Sequence, residues 1–556
     1  MPAEFDSARE DEKLAKIRAE EEEDLVRILA EKHNLPYTDL SFVPVNVDAL
    51  RVIPEEEARG AEAAAFDKNG KHLSIALRQP DSDAYARLEQ RLASEGYIVE
   101  KFLVSQKSLD RAFSRYVELS HASESDAGVF QIGDESQKEL EAASVSVPAL
   151  RAYLTQLATG KGAGNVSALL EAILSSAIAL HASDVHFEPE EQAVRMRFRL
   201  NGVLTDIFLF DAHAYRLINS RLKVLSELKL NITDRAQDGR FTIMQNGKEF
   251  EVRASVIPGS YGESFVLRVL DPETTKRSFK ELGIHPKLLA RLEEEIRRPN
   301  GMLLNTGPTG SGKTTSLYTF MQEIHTPAIK IITIEDPVEY HLEGIVQTQV
   351  NGSDYTFASG LRSVLRQDPD VIMVGEIRDA EVAEVAVQAA LTGHFVFSTL
   401  HTNDAAGTFP RLADLGVDPK SFASAVTVAM AQRLVRTLDA ETKKKRATTD
   451  EEKRMMQHVF STLTDPALMP ASFDEVWTAG GEDDTSSYKG RTGVYEAIFM
   501  DEELGAFLRD NPSAGDIAKH VERQGYLTMA QDGILKALTG ETSLEEVVRT
   551  VDLPRE

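Results

Sequence analysis

The chain contains no cysteine among its 556 residues. Disulfide bonds and thiolate zinc sites are therefore excluded, and a reducing compartment is compatible with this composition. Long apolar runs are missing too. A membrane-spanning helix needs about 18 or more apolar residues, whereas the longest candidate, Ala168–Leu180, is interrupted by a glutamate and two serines. The sequence therefore predicts no membrane span, and association with a membrane would depend on a partner.

Basic residues are scarce relative to acidic ones. The chain has 62 Lys and Arg residues against 89 Asp and Glu residues, which gives a formal net charge of −27. A surface of that sign repels a phosphate backbone unless a local basic patch offsets it. We therefore expect no direct nucleic-acid partner.

The pattern of apolar residues divides the chain into segments. In its second half, the short and wholly apolar stretches 301–305, 331–334, 371–374 and 395–400 alternate with helical patterns. Such strands are typical of a parallel sheet that is buried on both faces. The predicted segments are 1–118, a small α+β domain with an acidic leading helix; 119–165, a polar linker; 166–275, a second α+β domain; 280–437, the α/β core; 438–489, a polar and irregular spacer; and 490–556, a helical region.

A phosphate-binding loop is the strongest local signal. Its pattern is G-x-x-x-x-G-K-[ST], and it follows an apolar strand and precedes a helix that is predicted to begin near Thr315, as a P-loop requires. The matching residues are Gly307, Pro308, Thr309, Gly310, Ser311, Gly312, Lys313 and Thr314. The glycines let backbone N–H groups approach the phosphates. Lys313 would contact the β- and γ-phosphates, and the Thr314 hydroxyl would bind Mg²⁺. The sequence therefore predicts a site for ATP and Mg²⁺, with Thr315 at its edge.

Acidic side chains follow two of the predicted core strands. Glu335, Asp336 and Glu339 come after the strand 331–334. Because the carboxyl ends of parallel strands face the ligand in an open α/β sheet, each is a candidate base for activating water. Glu376 follows the strand 371–374 after one glycine, and we expect it to contact the water shell of Mg²⁺.

Two histidines flank the strand 395–400. A strand of that length spans about 20 Å, so His394 and His401 cannot bind one metal ion. His401 is predicted to lie at the carboxyl end, where it could sense the γ-phosphate. His394 is interpreted as structural, with a subunit boundary as the alternative.

Several motifs in a fixed order resemble the secretion ATPase superfamily, in particular the type II secretion and type IV pilus assembly ATPases. The resemblance extends from about Leu25 to the end of the chain. The motifs that carry it are Ala182–Pro189, Gln237–Arg240, Gly307–Thr314, Glu335–Tyr340, Leu365–Asp379, Thr392–His394 and Thr399–Thr402.

The resemblance implies a multidomain α/β protein with a RecA-like P-loop ATPase core, a PAS-like second domain and a small N-terminal domain. It implies a homohexamer in the cytoplasm that binds ATP between its second and third domains. That hexamer would act on a polytopic inner-membrane platform protein, with the N-terminal domain as a contact for an adaptor.

The resemblance also implies residue roles. Glu339 matches the family's catalytic glutamate, and Glu376 the glutamate of its second acidic motif. Arginines of the second domain are expected to reach the nucleotide; the candidates are Arg195, Arg197, Arg199, Arg221 and Arg240. Many relatives bind zinc through four cysteines in the region that corresponds to 438–489, so no zinc site is expected here. The repeated motif by which some relatives bind cyclic di-GMP is not found, and we expect no such regulation.

These features predict an ATP-hydrolysing motor of type IV pilus assembly. The main alternative is a type II secretion ATPase. Less favoured alternatives are a competence-pilus motor and a nucleotide-binding scaffold that does not hydrolyse ATP. Intact Lys313, Thr314, Glu339 and Glu376 argue against the scaffold. A retraction ATPase is disfavoured because the chain has the N-terminal domain that those enzymes lack.

Overall fold

A computed structural model describes residues 22–33, 35–40, 43, 45–50, 52–116, 128–132, 146–159, 165–271, 278–352, 354–481 and 487–553. The chain separates into two compact units, Met1–Leu270 and Asp271–Glu556. Within the described ranges, no helix is both long enough and apolar enough to cross a membrane.

The first unit begins with a small sheet. Its strands are β1 (Ala63–Asn69), β2 (His72–Leu77) and β3 (Ile98–Leu103), in the order β1-β2-β3. Strands β1 and β2 are antiparallel, whereas β2 and β3 are parallel. The helices are α1 (22–33), α2 (Val47–Leu50), α3 (Glu55–Gly60), α4 (Asp83–Ser94) and α5 (Gln106–Ser114). The predicted leading helix is therefore present over 22–33, and its earlier part lies outside the described residues.

A second sheet of seven strands has the order β4-β8-β9-β10-β5-β6-β7. These strands are β4 (Val129–Gln131), β5 (Asp184–Pro189), β6 (Val194–Leu200), β7 (Val203–Phe210), β8 (Gln237–Gln245), β9 (Lys248–Gly259) and β10 (Gly262–Leu270). The accompanying helices are α6 (Val147–Thr159), α7 (Asn165–Ala179) and α8 (Ala212–Leu225). All its pairs are antiparallel except β4 with β8.

The polar composition of the segment 119–165 had predicted a linker. The segment is instead partly folded. It contributes β4 and α6, and Phe130, Leu150 and Leu154 are buried in the same hydrophobic core as β5 and β6. Helix α6 is mainly apolar, and the prediction was wrong because the polar composition of the preceding residues was extended over it. The rest of the segment lies mainly outside the described residues.

The second unit contains the predicted parallel sheet. Seven strands have the order β13-β12-β14-β15-β11-β16-β19. All pairs are parallel except β16 with β19. The strands are β11 (Gly301–Thr306), β12 (Ile331–Glu335), β13 (Val346–Gln349), β14 (Val371–Val374), β15 (Phe395–Leu400), β16 (Val426–Leu438) and β19 (Tyr488–Phe499). Every residue of β11, β12, β14 and β15 is buried, as the continuous apolar pattern predicted.

Helices cover this sheet and continue to the end of the unit. They are α9 (Pro286–Glu295), α10 (Lys313–Ile324), α11 (Phe357–Val364), α12 (Ala380–Leu391), α13 (Thr408–Asp414), α14 (Pro419–Ala425), α15 (Asp450–Phe460), α16 (Glu502–Leu508), α17 (Ala514–Val521), α18 (Met529–Thr539) and α19 (Leu544–Thr550). Helix α10 begins at Lys313, slightly earlier than predicted.

The segment 438–489 is folded rather than irregular. It contains α15 and the antiparallel pair β17 (Lys444–Ala447) and β18 (Glu475–Thr478). Arg446 donates to Glu452 at 2.7 and 2.8 Å and to Glu545 at 3.0 Å. Lys443 and Lys445 lie over the ring of Trp477. Ion pairs and cation–π contacts are not visible in a count of apolar residues, and for that reason the irregular-segment prediction was wrong.

The predicted helical region 490–556 begins with a strand instead. Strand β19 pairs with β16 from Val428 with Phe499 to Leu438 with Tyr488. This pairing joins residues far apart in sequence, so the local pattern could not reveal it.

Candidate functional site

The phosphate loop joins the end of β11 to the start of α10, the arrangement that the motif requires. Gly307 has φ 148° and Gly312 has φ 89°. A Cβ atom on Gly307 would lie 2.6 Å from the Gln432 carbonyl oxygen, and one on Gly312 would lie 2.8 Å from Gln432 Nε2. Glycine is therefore required at both positions by backbone conformation and by space.

Lys313 curls back over this loop. Its Nζ donates to the carbonyl oxygens of Gly307 and Pro308 at 2.7 and 3.1 Å. Burial lowers the pKa of Lys313 to about 8, and the nearby negative charge of Glu376 opposes that shift. A partly desolvated ammonium group that is held by neutral acceptors is suited to an anionic ligand.

The remaining loop residues have a clear local geometry. Ser311 Oγ is buried and has no hydrogen-bond partner in the described part of the chain. Thr314 and Thr315 are half-buried on the first turn of α10, and Thr309 and Gly310 are exposed. The glycine cradle and the buried, unsatisfied hydroxyl fit a nucleotide phosphate.

The candidate carboxylates at the end of β12 and in the loop that follows differ in their environment. Glu335 is 3% exposed and accepts hydrogen bonds from Tyr318 Oη, from Thr333 Oγ1 at 2.5 Å and from Gln347 Nε2 at 3.2 Å. Burial raises its pKa. Asp336 is exposed and Glu339 is half-buried in the loop that follows. Because the Glu335 carboxylate is enclosed by protein donors, Asp336 and Glu339 are the carboxylates that water can reach.

Glu376 lies at the end of β14, next to the phosphate loop. It forms an ion pair with Arg378, and its Oε2 lies 3.5 Å from His401 Nε2. Thr399 Oγ1 donates to the Gly375 carbonyl at 2.7 Å and so fixes the backbone before Glu376. Lys313, Glu376 and His401 therefore lie at one edge of the sheet, as the ends of parallel strands predict.

Further contacts hold the loop that carries His401. Thr306 Oγ1, at the end of β11, lies 2.7 Å from Thr402 Oγ1 and accepts from the Thr402 N–H at 2.8 Å. His394 lies at the other end of β15, where its Nδ1 is 3.1 Å from the Ala389 carbonyl oxygen. That contact fits the structural interpretation of His394.

The oxygen donors at this edge suit Mg²⁺. Thr314 supplies a hydroxyl and Glu376 a carboxylate, which are ligands that Mg²⁺ prefers. Among the described residues, no cluster of three or more His, Asp or Glu side chains could hold a metal ion. A magnesium ion here would therefore depend on phosphate and water for most of its shell, which is its usual behaviour.

Sequence reasoning missed two residues of β16 that complete the loop's surroundings. Gln432 Oε1 accepts from Asn305 Nδ2 at 3.0 Å and from Ser316 Oγ at 2.8 Å, which ties the sheet to α10. Arg433 Nη2 donates to the Asn403 carbonyl at 2.7 Å, and its charge contributes to the lowered pKa of Lys313. The available signal was a glutamine and an arginine that follow a mainly apolar run in the same strand.

The candidate arginines belong to the first unit. Arg195 pairs with Glu190 at 2.8 Å, Arg197 with Glu188 at 2.5 Å and Arg199 with Asp184 at 3.1 Å. Arg221 is 4% exposed within α8. Arg240 on β8 is exposed and forms no ion pair with any residue that the structure describes.

The fold and the phosphate-loop edge define a P-loop ATPase with a buried parallel sheet. The family described as "Type II/IV secretion system protein" matches residues 159–549, and an "MshEN domain" matches residues 33–123. Because the first match covers more than half of the chain, the protein belongs to the type II/IV secretion system family of ATPases.

Individual relatives agree with this assignment. The type IV pilus assembly ATPase PilB of Myxococcus xanthus is 35% identical over 541 residues, covering 96% of this chain and 92% of that protein. The type II secretion system protein E of Aeromonas hydrophila is 43% identical over 385 residues, covering 68% of this chain and 74% of that protein. The ATPase DotB of Legionella pneumophila has a similar fold, with a TM-score of 0.51, 22% identity and coverage of 69% of this chain and 95% of DotB.

Proposed function

We propose that this chain is a hexameric motor that hydrolyses ATP to drive type IV pilus assembly at the cytoplasmic face of the inner membrane. The observation that carries the proposal is similarity to a pilus assembly ATPase over 96% of the chain, together with the convergence of Lys313, Glu376 and His401. A type II secretion ATPase is the second candidate, and the 43% identity to protein E of Aeromonas hydrophila favours it.

Glu339 is the residue we assign as the base. Glu335 is excluded from that role because its carboxylate is buried and accepts hydrogen bonds from Tyr318, Thr333 and Gln347. Glu339 is half-buried in the same loop, so its carboxylate can orient and deprotonate a water molecule. The resemblance to the family's catalytic glutamate supports the same choice.

The other residues bind and orient the nucleotide. Lys313 neutralises phosphate charge, and Thr314 and Glu376 hold Mg²⁺, directly or through water. Magnesium, when bound, withdraws electron density from the phosphate oxygens. His401 lies 3.5 Å from Glu376 and follows β15, which supports a role in sensing the γ-phosphate.

Among the second-domain arginines, we rank Arg240 first as the residue that stabilises transition-state charge. Arg195, Arg197 and Arg199 are held by carboxylates of their own unit, and Arg221 is buried. Arg240 is exposed and can reach a nucleotide without breaking an ion pair first.

The partners we propose are other copies of the chain, a polytopic membrane platform protein and an adaptor that binds the N-terminal domain. Sedimentation with and without a non-hydrolysable ATP analogue and Mg²⁺ tests the first of these. We expect hexamers only with nucleotide, because subunit contact is coupled to binding. A stable hexamer in its absence would overturn that coupling.

Imaging of surface filaments tests the cellular role. A strain that lacks this gene is complemented with wild type or with Glu339→Gln at equal protein levels. We expect filaments only with wild type, because the amide cannot accept a proton. If filaments persist in the deletion strain and exported proteins are lost from the medium, the chain serves type II secretion instead.

A further inference from the structure

A buried polar cluster lies beneath the loop that carries Glu339. It consists of Tyr318 from α10, Glu335 at the end of β12 and Gln347 from β13. Tyr318 is 0% exposed and Glu335 is 3% exposed. Polar groups so deeply buried are expensive unless each has a partner, so their arrangement is specific.

The cluster is connected internally by hydrogen bonds. Tyr318 Oη donates to Glu335 Oε2. Gln347 Nε2 lies 3.2 Å from Glu335 Oε1 and 3.4 Å from Tyr318 Oη. Burial and the Glu335 charge raise the pKa of Tyr318, so the hydroxyl keeps its proton and remains a donor.

The same side chains hold the backbone of the loop. Gln347 Nε2 donates to the Tyr340 carbonyl at 3.0 Å, and Gln347 Oε1 accepts from the Leu342 N–H at 2.7 Å. The rings of Tyr318 and Tyr340 meet edge to face, with centroids 4.6 Å apart.

We propose that Tyr318 is a positioning residue that, together with Gln347, holds the loop that carries Glu339 at a fixed place relative to the phosphate loop. Tyr318 lies on α10, the helix whose first turn carries Lys313 and Thr314. A helix of this length is stiff, so the contacts of Tyr318 with the Tyr340 ring and with Gln347 Nε2 relate the position of the phosphate-binding turn to that of the Glu339 loop. The inference rests on the proposed role of Glu339.

Tyr318→Phe tests this inference in the full-length protein. The variant keeps the ring contact with Tyr340 and removes the hydroxyl that donates to Glu335 and lies 3.4 Å from Gln347 Nε2. We expect kcat to fall about 10-fold or more, because small misplacements of a reacting group carry large rate penalties. The KM for ATP and the affinity for a non-hydrolysable analogue should stay within about 2-fold, since Lys313 is untouched.

Tyr355→Phe is the matched control. The Tyr355 hydroxyl lies 3.1 Å from Thr348 Oγ1 on the same edge strand, and within the described part of the chain it forms no hydrogen bond with the Glu339 loop. We expect an unchanged kcat for this variant. If Tyr318 served folding alone, Tyr318→Phe would lower Tm. At a temperature where the variant is folded, its kcat would not fall selectively relative to its KM.

Gln347→Leu provides a second variant, at a position that is partly exposed. It removes the ties to Tyr340 and Leu342, and we expect a fall in kcat of about 3-fold or more with an unchanged KM. Wild-type kcat in both folded variants, or in Gln347→Leu where Tyr318→Phe does not fold, would overturn the inference.

Glu339→Gln is assayed alongside. If it is inactive while Tyr318→Phe is normal, only the inference fails; if it hydrolyses ATP at the wild-type rate, the proposed base is wrong.

Discussion

The seven-stranded sheets of the two units differ in how their strands are covered. In β6 of the first unit, Val194, Met196, Phe198 and Leu200 are buried and the arginines between them are partly exposed. In β11 and β15 of the second unit, every residue is buried. Alternation follows from one core face, and continuous burial from helices on both faces.

This difference decides where functional groups can lie. Along β6, charged side chains occupy a whole face of the strand, where Arg195, Arg197 and Arg199 pair with carboxylates. The fully buried strands β11, β12, β14 and β15 have no such face, and the carboxylates Glu335 and Glu376 lie where two of these strands end. A continuously buried sheet therefore confines the chemistry to one edge.

The largest effect is expected at that edge. Lys313→Ala should lower kcat/KM for ATP by about 10²–10³-fold, because it removes a charged donor from the developing phosphate charge. Phosphate release measured with and without the substitution checks this. A loss below 10-fold would mean that the edge does not bind the transferred phosphate through Lys313.

Adjacent substitutions in β11 test the continuous burial. Leu303→Ala and Leu304→Ala should each destabilise the second unit by about 2–5 kcal/mol, since both side chains are 0% exposed. Denaturant unfolding of the two variants gives the values. If only one of the two substitutions lowers the free energy of unfolding by this amount, β11 behaves as a strand with a single buried face.

The lowered pKa of Lys313 predicts a pH effect on nucleotide binding. Its pKa near 8 lies below the ordinary value of 10.5, so the amine loses its proton in the ligand-free protein as pH rises through about 8. Bound phosphate favours the charged form, so affinity should fall about 10-fold between pH 7 and 9. Calorimetric titration at each pH measures the nucleotide affinity. The Lys313→Arg variant, whose side chain stays charged, should show no fall in affinity over this pH range.

The smallest effect is expected on the exposed face of β6. Arg195→Ala should cost about 1 kcal/mol or less, because its ion pair with Glu190 is partly exposed on both sides. The neighbouring Met196→Ala should cost about 2–5 kcal/mol, since Met196 is 0% exposed. Thermal unfolding of the two variants gives the loss of stability for each. Equal losses would contradict the alternation of buried and exposed residues along β6.

Local sequence patterns predicted much of this molecule. The four apolar stretches correspond to β11, β12, β14 and β15, and the position of the phosphate loop between a strand and a helix was also predicted. Strand β19 and the pair β17–β18 were missed, because their pairing joins distant residues. The strand and helix within 119–165 were missed because the polar composition of its first part was extended to the whole segment.

The sequence alone determined the phosphate loop, since glycine, lysine and threonine at fixed spacing fold locally into a strand, a turn and a helix. Only the tertiary structure decided that Glu335, rather than Glu339, is enclosed by protein. Tyr318 and Gln347 come from different elements and surround Glu335, which leaves Glu339 accessible. The same holds for Gln432, which reaches the loop because β16 lies beside β11. Such environments depend on the order of strands in the sheet, and strand order is a long-range property.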